Sequence, residues 1–263
     1  MNINNEVQAN FVLIQITDLH IFTNEAYEFN GVNPALTLRL VIEQIRQEFP
    51  TFDHMFVTGD LVQEPERAAY KLVSKLLNEF DQNINYLPGN HDDPKLMGDV
   101  FDGNVRLQIN LGNWVVFSLN TCKSKAQSGY LTKEDLTELD KGLKACQDKN
   151  VLVLLHHQPI LIGSEWMDSM MLENADEFFA VIDQYDHIKS VAWGHNHQEF
   201  FQIRNGVELY ATPSTCVQYT PKAKDFEVDV ENMPGYRWFK LSDDGSIETG
   251  VNRLDQEVTL SLK

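Results

Sequence analysis

The chain has 263 residues, 43% of them hydrophobic and 23% charged, which is ordinary for a soluble globular protein and enough for one well-buried α/β core. Its formal net charge of −18 repels nucleic acid and anionic membranes, so it disfavours a nuclease. No apolar run approaches the roughly 20 residues that span a bilayer. The first residues lack the basic start and apolar stretch of a secretory signal, which predicts a cytoplasmic protein. Three scattered cysteines, Cys122, Cys146 and Cys216, suit neither a disulfide framework nor a thiolate zinc site and predict small buried apolar side chains.

Apolar runs and helical patterns alternate through the first two thirds of the chain. In chain order, they predict a strand at 11–17, a helix opened by Pro34, a strand at 55–58, a helix opened by Pro65 with Phe80 on its apolar face, and a strand at 84–88. The next predicted elements are two antiparallel strands, 106–109 and 114–119, joined by a turn at Gly112 and Asn113. After them come a helix that Thr132 caps, with Asp135 at its third position, and a strand at 151–155. A helix that carries Phe178 and Phe179 and a strand at 190–193 complete this part of the chain.

The last third of the chain is rich in strand and turn patterns. Asn205–Gly206 predicts a hairpin between residues 200–204 and 207–212, and Asp244–Gly245 predicts a second one. Residues 213–235 between the hairpins predict a long loop. The whole pattern predicts one domain, 1–263, with a β-rich C-terminal portion from about 198 to 263, in a four-layer αββα sandwich.

Five polar clusters each begin just after a predicted buried strand. They are Thr17-Asp18-Leu19-His20, Gly59-Asp60, Gly89-Asn90-His91-Asp92, His156-His157 and Gly194-His195-Asn196-His197. Sites in α/β proteins assemble at the carboxyl ends of strands, so these clusters are expected to meet at one edge. Their side chains offer carboxylate, imidazole and amide donors, which bind borderline or hard divalent metals. The glycines before Asp60, Asn90 and His195 let the backbone turn sharply and approach an ion closely.

The pattern D-x-H, G-D, G-N-H-D, H and G-H-x-H, with all five blocks in order, resembles the calcineurin-like metallophosphoesterases. Outside those blocks, the stretch PSTCVQYTP at 213–221, the Pro-Gly-Tyr-Arg at 234–237 and the Val-Asn-Arg-Leu at 251–254 resemble the bacterial class III 3′,5′-cyclic-AMP phosphodiesterases. The resemblance covers nearly the whole chain. It implies hydrolysis of 3′,5′-cyclic AMP to 5′-AMP by in-line attack of a metal-bound hydroxide at a dinuclear site.

The resemblance also implies which residues hold the metals. One ion would be bound by Asp18, His20, Asp60 and His197, and the second by Asp60, Asn90, His156 and His195, with Asp60 bridging. The family's H-x-P arrangement favours His156 over His157, although the two are adjacent and either is open. The two ions, divalent or trivalent, would be iron, manganese or zinc, since the donors are nitrogen and oxygen.

Catalysis is assigned to His91 and Asp60, and substrate contact to His20, Asp60, Asn90, His91 and His197. His91 follows the ligand Asn90 but is not itself a ligand in the family pattern, so it is the expected general acid for the leaving ribose oxygen. Asp92 is expected to orient either the His91 ring or a neighbouring loop. Two divalent ions bring four positive charges, of which Asp18, Asp60 and a hydroxide remove three. A positive site therefore remains on a strongly negative protein, and the neutral Asn90 helps to keep it so.

Several interpretations stay open at this stage. A broader phosphodiesterase acting on glycerophosphodiesters or 2′,3′-cyclic nucleotides is the alternative activity, and an inactive metal-binding scaffold is the alternative class. Trp166 and Met167 are candidates to stack on a base or to meet a partner, and the 213–235 segment is a candidate dimer contact in a chain that would be a monomer or homodimer. Thr215, Cys216 and Gln218 would face the nucleotide or simply form a strand. His54 and His187 are expected at the surface or a strand edge, and His157 as packing.

Overall fold

The computed structural model describes residues 9–78, 80, 83–101 and 104–255. Residues 1–8, which belong to the stretch that lacks the pattern of a secretory signal, and residues 256–263, the end of the predicted β-rich portion, lie outside these ranges. Within them, no helix is long and apolar enough to cross a membrane. That the chain forms one domain stays a prediction.

The predicted strands and helices occur in the predicted order, and four further short elements lie among them. The strands are β1 (Ala9–Ile16), β2 (His54–Thr58), β3 (Ile84–Leu87), β4 (Gln108–Leu111), β5 (Trp114–Ser118), β6 (Asn150–Leu154), β7 (Ile188–Trp193), β8 (Phe200–Arg204), β9 (Val207–Ala211), β10 (Gln218–Tyr219), β11 (Val228–Asp229), β12 (Gly235–Ser242) and β13 (Ile247–Arg253). The helices are α1 (Pro34–Glu48), α2 (Arg67–Leu77), α3 (Pro94–Val100), α4 (Lys133–Ala145), α5 (Glu165–Asp168) and α6 (Ala175–Ile182).

Two sheets face each other, and each carries helices on its outer face. One sheet has the order β13-β12-β1-β2-β3, with β1, β2 and β3 parallel, and the other has the order β4-β5-β6-β7-β9-β8, with β5, β6, β7 and β9 parallel. In β1, Ile14 and Ile16 pack on the side of α1 and α2, whereas Leu13 packs between the sheets. In β6, Val151 and Val153 pack with α4 and α6, whereas Leu152 and Leu154 meet the first sheet. The fold is therefore the predicted αββα sandwich.

Local sequence explains where the helices begin. Asn33 caps α1 by accepting a hydrogen bond from the Leu36 amide at 2.9 Å, and Pro34 occupies the first turn, where its missing N–H is not needed. At α4, the Thr132 hydroxyl accepts from the Asp135 amide and the Asp135 carboxylate accepts from the Thr132 amide, which forms the predicted capping box.

Three sequence predictions need correction. The second helix begins at Arg67 rather than Pro65, because Glu66 is extended (φ −102°, ψ 135°), and it ends at Leu77, so that Phe80 packs on the same core from beyond the helix. The 213–235 segment is not wholly a loop, since it contains the paired strands β10 and β11. Its first part is buried, because the run from 213 to 219 packs beneath the loops that follow β1 and β7.

Helices α3 and α5 carry too few residues for their periodicity to be recognised.

Candidate metal centre

The five polar clusters lie in loops at the carboxyl ends of β1, β2, β3, β6 and β7, as the sequence predicts. Main-chain hydrogen bonds join these loops: the Asp18 amide donates to the Gly59 carbonyl at 2.9 Å and the His20 amide to the Asp60 carbonyl at 3.0 Å. The Gly194 amide donates to the His156 carbonyl at 3.2 Å, which ties the loops of the second sheet together. The His195 amide donates to the Asp18 carboxylate at 2.9 Å, which joins the two sets of loops, so both sheets deliver their polar residues to one shared edge.

The backbone at this edge adopts conformations that side chains disfavour. Five of the seven predicted ligands have positive φ, and these are Asp18 (53°), His20 (48°), Asp60 (51°), His195 (64°) and His197 (49°). Left-handed conformations are uncommon for residues other than glycine and persist only when the surrounding structure enforces them. The fold therefore stores backbone strain at this edge in order to point these side chains at one another.

Three glycines allow the loops to approach more closely than any other residue would. A Cβ on Gly59, whose φ is +102°, would lie 2.1 Å from the Nδ1 atom of His156. A Cβ on Gly89 would lie 2.3 Å from Asp60 Oδ1, and one on Gly194 would lie 2.0 Å from Thr17 Oγ1. The glycines noted in the sequence therefore provide close packing against the candidate ligands, and Gly59 also has the positive φ that favours glycine.

Asp18, His20 and His197 form the first group of candidate ligands. The Nε2 atom of His197 lies 3.3 Å from Asp18 Oδ1 and 3.0 Å from Nε2 of His20, and His20 Nε2 lies 3.8 Å from Asp60 Oδ2. All four residues, Asp60 included, are buried. Two imidazole nitrogens and two carboxylates aimed at one small volume make a donor set that a cation satisfies.

Asp60, Asn90, His156 and His195 form the second group. The Nε2 atom of His156 lies 3.4 Å from Asp60 Oδ2 and 3.3 Å from Asn90 Oδ1. The Nε2 atom of His195 is buried and has no hydrogen-bond partner among the residues that the structure describes. A buried imidazole nitrogen rarely goes without a partner, so this orphaned atom fits a site built for an ion. Asp60 lies between the two groups.

His156 and His157 differ in which nitrogens are free. His156 directs Nδ1–H to the Thr58 carbonyl at 2.8 Å, which leaves Nε2 facing Asp60. In His157, Nε2 is 3.1 Å from the Gln127 carbonyl and Nδ1 is 2.7 Å from the Thr121 hydroxyl, so both nitrogens are engaged. The geometry favours His156 as the ligand.

The pKa shifts hold Asp60 and His20 in the forms that bind metal, whereas His156 holds a proton that competes with a metal. Burial would raise the pKa of Asp60, but His156, His91 and His20 outweigh it and hold the pKa well below its usual value. Burial, together with His197, lowers the pKa of His20 to about 3, so that this ring is neutral at pH 7. Burial opposes the charge on His156, but Asp60 raises its pKa to about 9. A cation would displace that proton, because ligands bind metals in their deprotonated form.

His91 and Asp92 lie beside the shared ligand Asp60 and have different hydrogen-bond partners. The His91 amide donates to Asp60 Oδ1 at 2.9 Å, and its ring Nδ1 is 2.9 Å from the Gln63 carbonyl. The Asp92 carboxylate accepts from the Gly89 amide, the Leu61 amide and the Tyr70 hydroxyl. Of the two roles considered for Asp92, it therefore anchors the neighbouring loop, and the Gln63 carbonyl orients the His91 ring.

Sequence reasoning missed the residues that support the ligands from behind. The side chain of Gln63 contacts His20 Nδ1 at 2.8 Å, and the Val217 carbonyl accepts from His197 Nδ1 at 2.7 Å. Phe29 stacks on His20 and Tyr219 stacks on His197, with ring centroids 4.6 and 4.2 Å apart. Such partners fix ring orientation and tautomer. Main-chain acceptors leave no mark in a sequence, and only the position of Gln63 three residues after Asp60 could have drawn attention to it.

Of the remaining candidates for contact with the nucleotide, some lie in the hydrophobic core and others lie nearer the surface. Met167 is 1% exposed and packs in the core, so it has no free face for a base, whereas Trp166 packs edge-on to Tyr219 and Phe226. Cys216 is buried and Gln218 contacts the main chain at Ser214 and Cys216.

The expectations for the outlying histidines were partly wrong. His54 begins β2 at a strand end but is 4% exposed, so placing it at the surface was wrong. His187 is half-buried just before β7. Cys146 and Cys216 are buried as predicted, and Cys122 is half-buried.

Known proteins resemble this chain along most of its length. The sequence profile of the calcineurin-like phosphoesterases matches residues 11–199. The chain is 35% identical over 252 residues to a Pseudomonas aeruginosa protein named 3′,5′-cyclic adenosine monophosphate phosphodiesterase CpdA, covering 95% of this chain and 92% of that protein. It is 34% identical over 251 residues to the Escherichia coli protein of the same name, covering 94% and 91%. A dimetal phosphatase from Danio rerio, 12% identical, shares the fold with a TM-score of 0.66 over 94% of this chain and all of its own. The chain belongs to the calcineurin-like phosphoesterase family.

Proposed function

We propose that this protein hydrolyses 3′,5′-cyclic AMP to 5′-AMP at a two-metal centre. The observation that carries the proposal is the cluster of buried histidines and aspartates at this edge, in which His195 Nε2 has no hydrogen-bond partner among the described residues. Relatives named as 3′,5′-cyclic-AMP phosphodiesterases, about a third identical over more than nine tenths of this chain, support the choice of substrate.

The donor set divides into two sites that share Asp60. Asp18, His20, Asp60 and His197 would hold one ion, and Asp60, Asn90, His156 and His195 the other. Bound divalent metals lower the pKa of water toward 7 and neutralise the charge of a phosphate, and a pair of them about 3.5–4 Å apart favours in-line displacement. We propose iron, manganese or zinc, whose preferences match these donors.

The chain's own residues would bind and orient the phosphate. The protein carries a net charge of −18, so attraction for an anionic substrate has to arise locally. Asn90 contributes an oxygen without adding negative charge, and His20, His91 and His197 line the centre with imidazole rings. These groups, with Asp60, are the proposed substrate contacts.

His91 is the proposed general acid. Its Nδ1 is held by the Gln63 carbonyl, which leaves Nε2 as the nitrogen that can hold a proton for the leaving 3′-oxygen. The ring is partly exposed, unlike the buried ligand histidines, and it lies edge-on to His20 at 5.0 Å. A ribose alkoxide leaves poorly, so a positioned proton is worth about 10²–10⁴-fold in rate.

A panel of diesters tests the choice of substrate. We expect kcat/KM for 3′,5′-cyclic AMP to exceed that for 2′,3′-cyclic AMP, glycerophosphodiesters and bis-p-nitrophenyl phosphate, all measured with the same added metal. Comparable or faster turnover of the general diesters would contradict the assignment and support a broader phosphodiesterase. No turnover of any diester, with metal bound, would support a scaffold.

A further inference from the structure

Strand β8 (Phe200–Arg204) is an edge strand that carries two exposed apolar side chains. It ends the six-stranded sheet, and in the described ladder it pairs with β9 alone. Phe201 is 55% exposed and Ile203 is 59% exposed. Edge strands with exposed apolar residues are templates for pairing with another chain, and proteins usually protect them.

The pairing of β8 with β9 determines which main-chain groups face outward. Arg204 pairs with Val207 across the two-residue turn Asn205–Gly206, whose φ values of 51° and 82° are those of a type I′ turn. The residues that close such a turn are a hydrogen-bonded pair, and hydrogen-bonded and non-bonded pairs then alternate. Hence Phe201 and Ile203 direct their amides and carbonyls away from β9, to the open edge.

Among the described residues, the strand FFQIR lacks three of the usual protections, which are a proline, a lysine and a β-bulge. Its one charged residue, Arg204, bonds to Asp183 at 2.5 and 2.9 Å and lies 3.7 Å over the ring of Phe179 on α6. The arginine charge is therefore engaged on the helical face and does not guard the edge.

We propose that β8 is the contact between two copies of this chain, paired antiparallel about a twofold axis through Gln202. In that register, Phe201 of each copy lies opposite Ile203 of the other. The main-chain amides and carbonyls of these two residues then form hydrogen-bonded pairs between the copies. Their side chains meet on one face of the joined sheet. The two six-stranded sheets become one of twelve strands.

The strand is self-complementary in this register, which favours a second copy over an unrelated chain. Apolar residues meet apolar residues twice, and Glu199 of each copy lies opposite Asn205 of the other rather than opposite a carboxylate. An isologous contact of this kind closes as a dimer. The net charge of −18 on each copy opposes association, so the dimer strengthens as salt screens that repulsion.

Sedimentation velocity of the full chain, at several concentrations in low and high salt, tests the proposal. We expect a species of twice the chain's 30.2 kDa, favoured by salt. Ile203→Lys places a charge opposite Phe201 twice per dimer and should weaken association about 10–100-fold. Ile203→Pro removes an outward amide that β9 does not use and should have a similar effect, while cyclic-AMP turnover and thermal unfolding of the variants stay near those of the wild type.

Val230→Lys is the matched control, because Val230 is 73% exposed and lies in the 213–235 segment, the other candidate contact. It should leave the dimer intact. A wild-type protein that is monomeric throughout would overturn the proposal. So would a dimer that survives Ile203→Lys or that is lost with Val230→Lys.

Discussion

Gly194→Ala tests whether close packing of the loops holds the metal ligands in place. The new Cβ would lie 2.0 Å from Thr17 Oγ1 and 2.8 Å from Asp18 Oδ2. Ordinary contact needs about 3.4 Å, so the hydroxyl has to move by about 1.4 Å. That hydroxyl donates to the Thr58 carbonyl at 3.0 Å, and the Asp18 carboxylate accepts from the His195 amide at 2.9 Å, so neither moves without losing a hydrogen bond.

The expected cost has a structural part and a metal part. Overpacking of this kind destabilises by about 1–3 kcal/mol. Metal–ligand distances tolerate only about ±0.2 Å, so a shift of Asp18 by several tenths of an ångström should weaken metal binding about 10–100-fold, as loss of supporting contacts typically does. Titration of the metal-free protein with Mn²⁺, followed by calorimetry and by restored turnover, measures the second part.

Two controls separate loss of metal from loss of stability. Gly142→Ala on α4 would place its Cβ 2.6 Å from Phe117, far from the ligands, so it should destabilise the fold but leave the affinity for Mn²⁺ unchanged. Gly98→Ala on α3 meets nothing within 4 Å and should be neutral or stabilising. If Gly194→Ala bound Mn²⁺ as tightly as the wild type, the packing argument would be refuted.

Three further predictions follow from individual side chains. His91→Ala should lower kcat by about 10²–10⁴-fold with bound metal unchanged in elemental analysis, and loss of metal would instead make His91 a ligand. Asn90→Asp should weaken inhibition by free phosphate because it adds negative charge to the centre, and an unchanged inhibition constant counts against this. Burial, with Arg106 nearby, lowers the pKa of His54 to about 4, so its contribution to stability is complete above its unfolded pKa of 6.5 and is lost as pH falls toward 4. The free energy of unfolding, measured with urea, should therefore fall between pH 7 and pH 5 by about 2 kcal/mol less in His54→Leu than in the wild type. An equal fall in the two proteins would exclude this role.

The arrangement of strands and loops could be predicted because it follows from local patterns. Buried strands have continuous apolar runs, Asn205–Gly206 favours a tight hairpin, and Thr132 with Asp135 is the local signature of a capping box. The convergence of five loops on one edge follows from the direction of parallel strands.

What could not be predicted depends on contacts between distant segments. Apart from its position three residues after Asp60, nothing local distinguishes Gln63 from any other loop glutamine, because its role comes from contacts with both His20 and His91. The burial of His54 reflects its place at the start of a strand between two layers. The positive φ of Asp18 and His195 is held by the contacts between the converging loops, since such conformations are uncommon for residues other than glycine and persist only when the surroundings enforce them.

The most direct test of the proposed function is removal and return of metal. The protein would be stripped with a chelator, reconstituted with increasing Mn²⁺, and assayed with 3′,5′-cyclic AMP, with products separated chromatographically and bound metal counted. The two-metal account predicts that turnover vanishes on stripping, that 5′-AMP is the product, and that activity returns as the second equivalent binds. Turnover that survives stripping, or full activity with a single ion per chain, would contradict it.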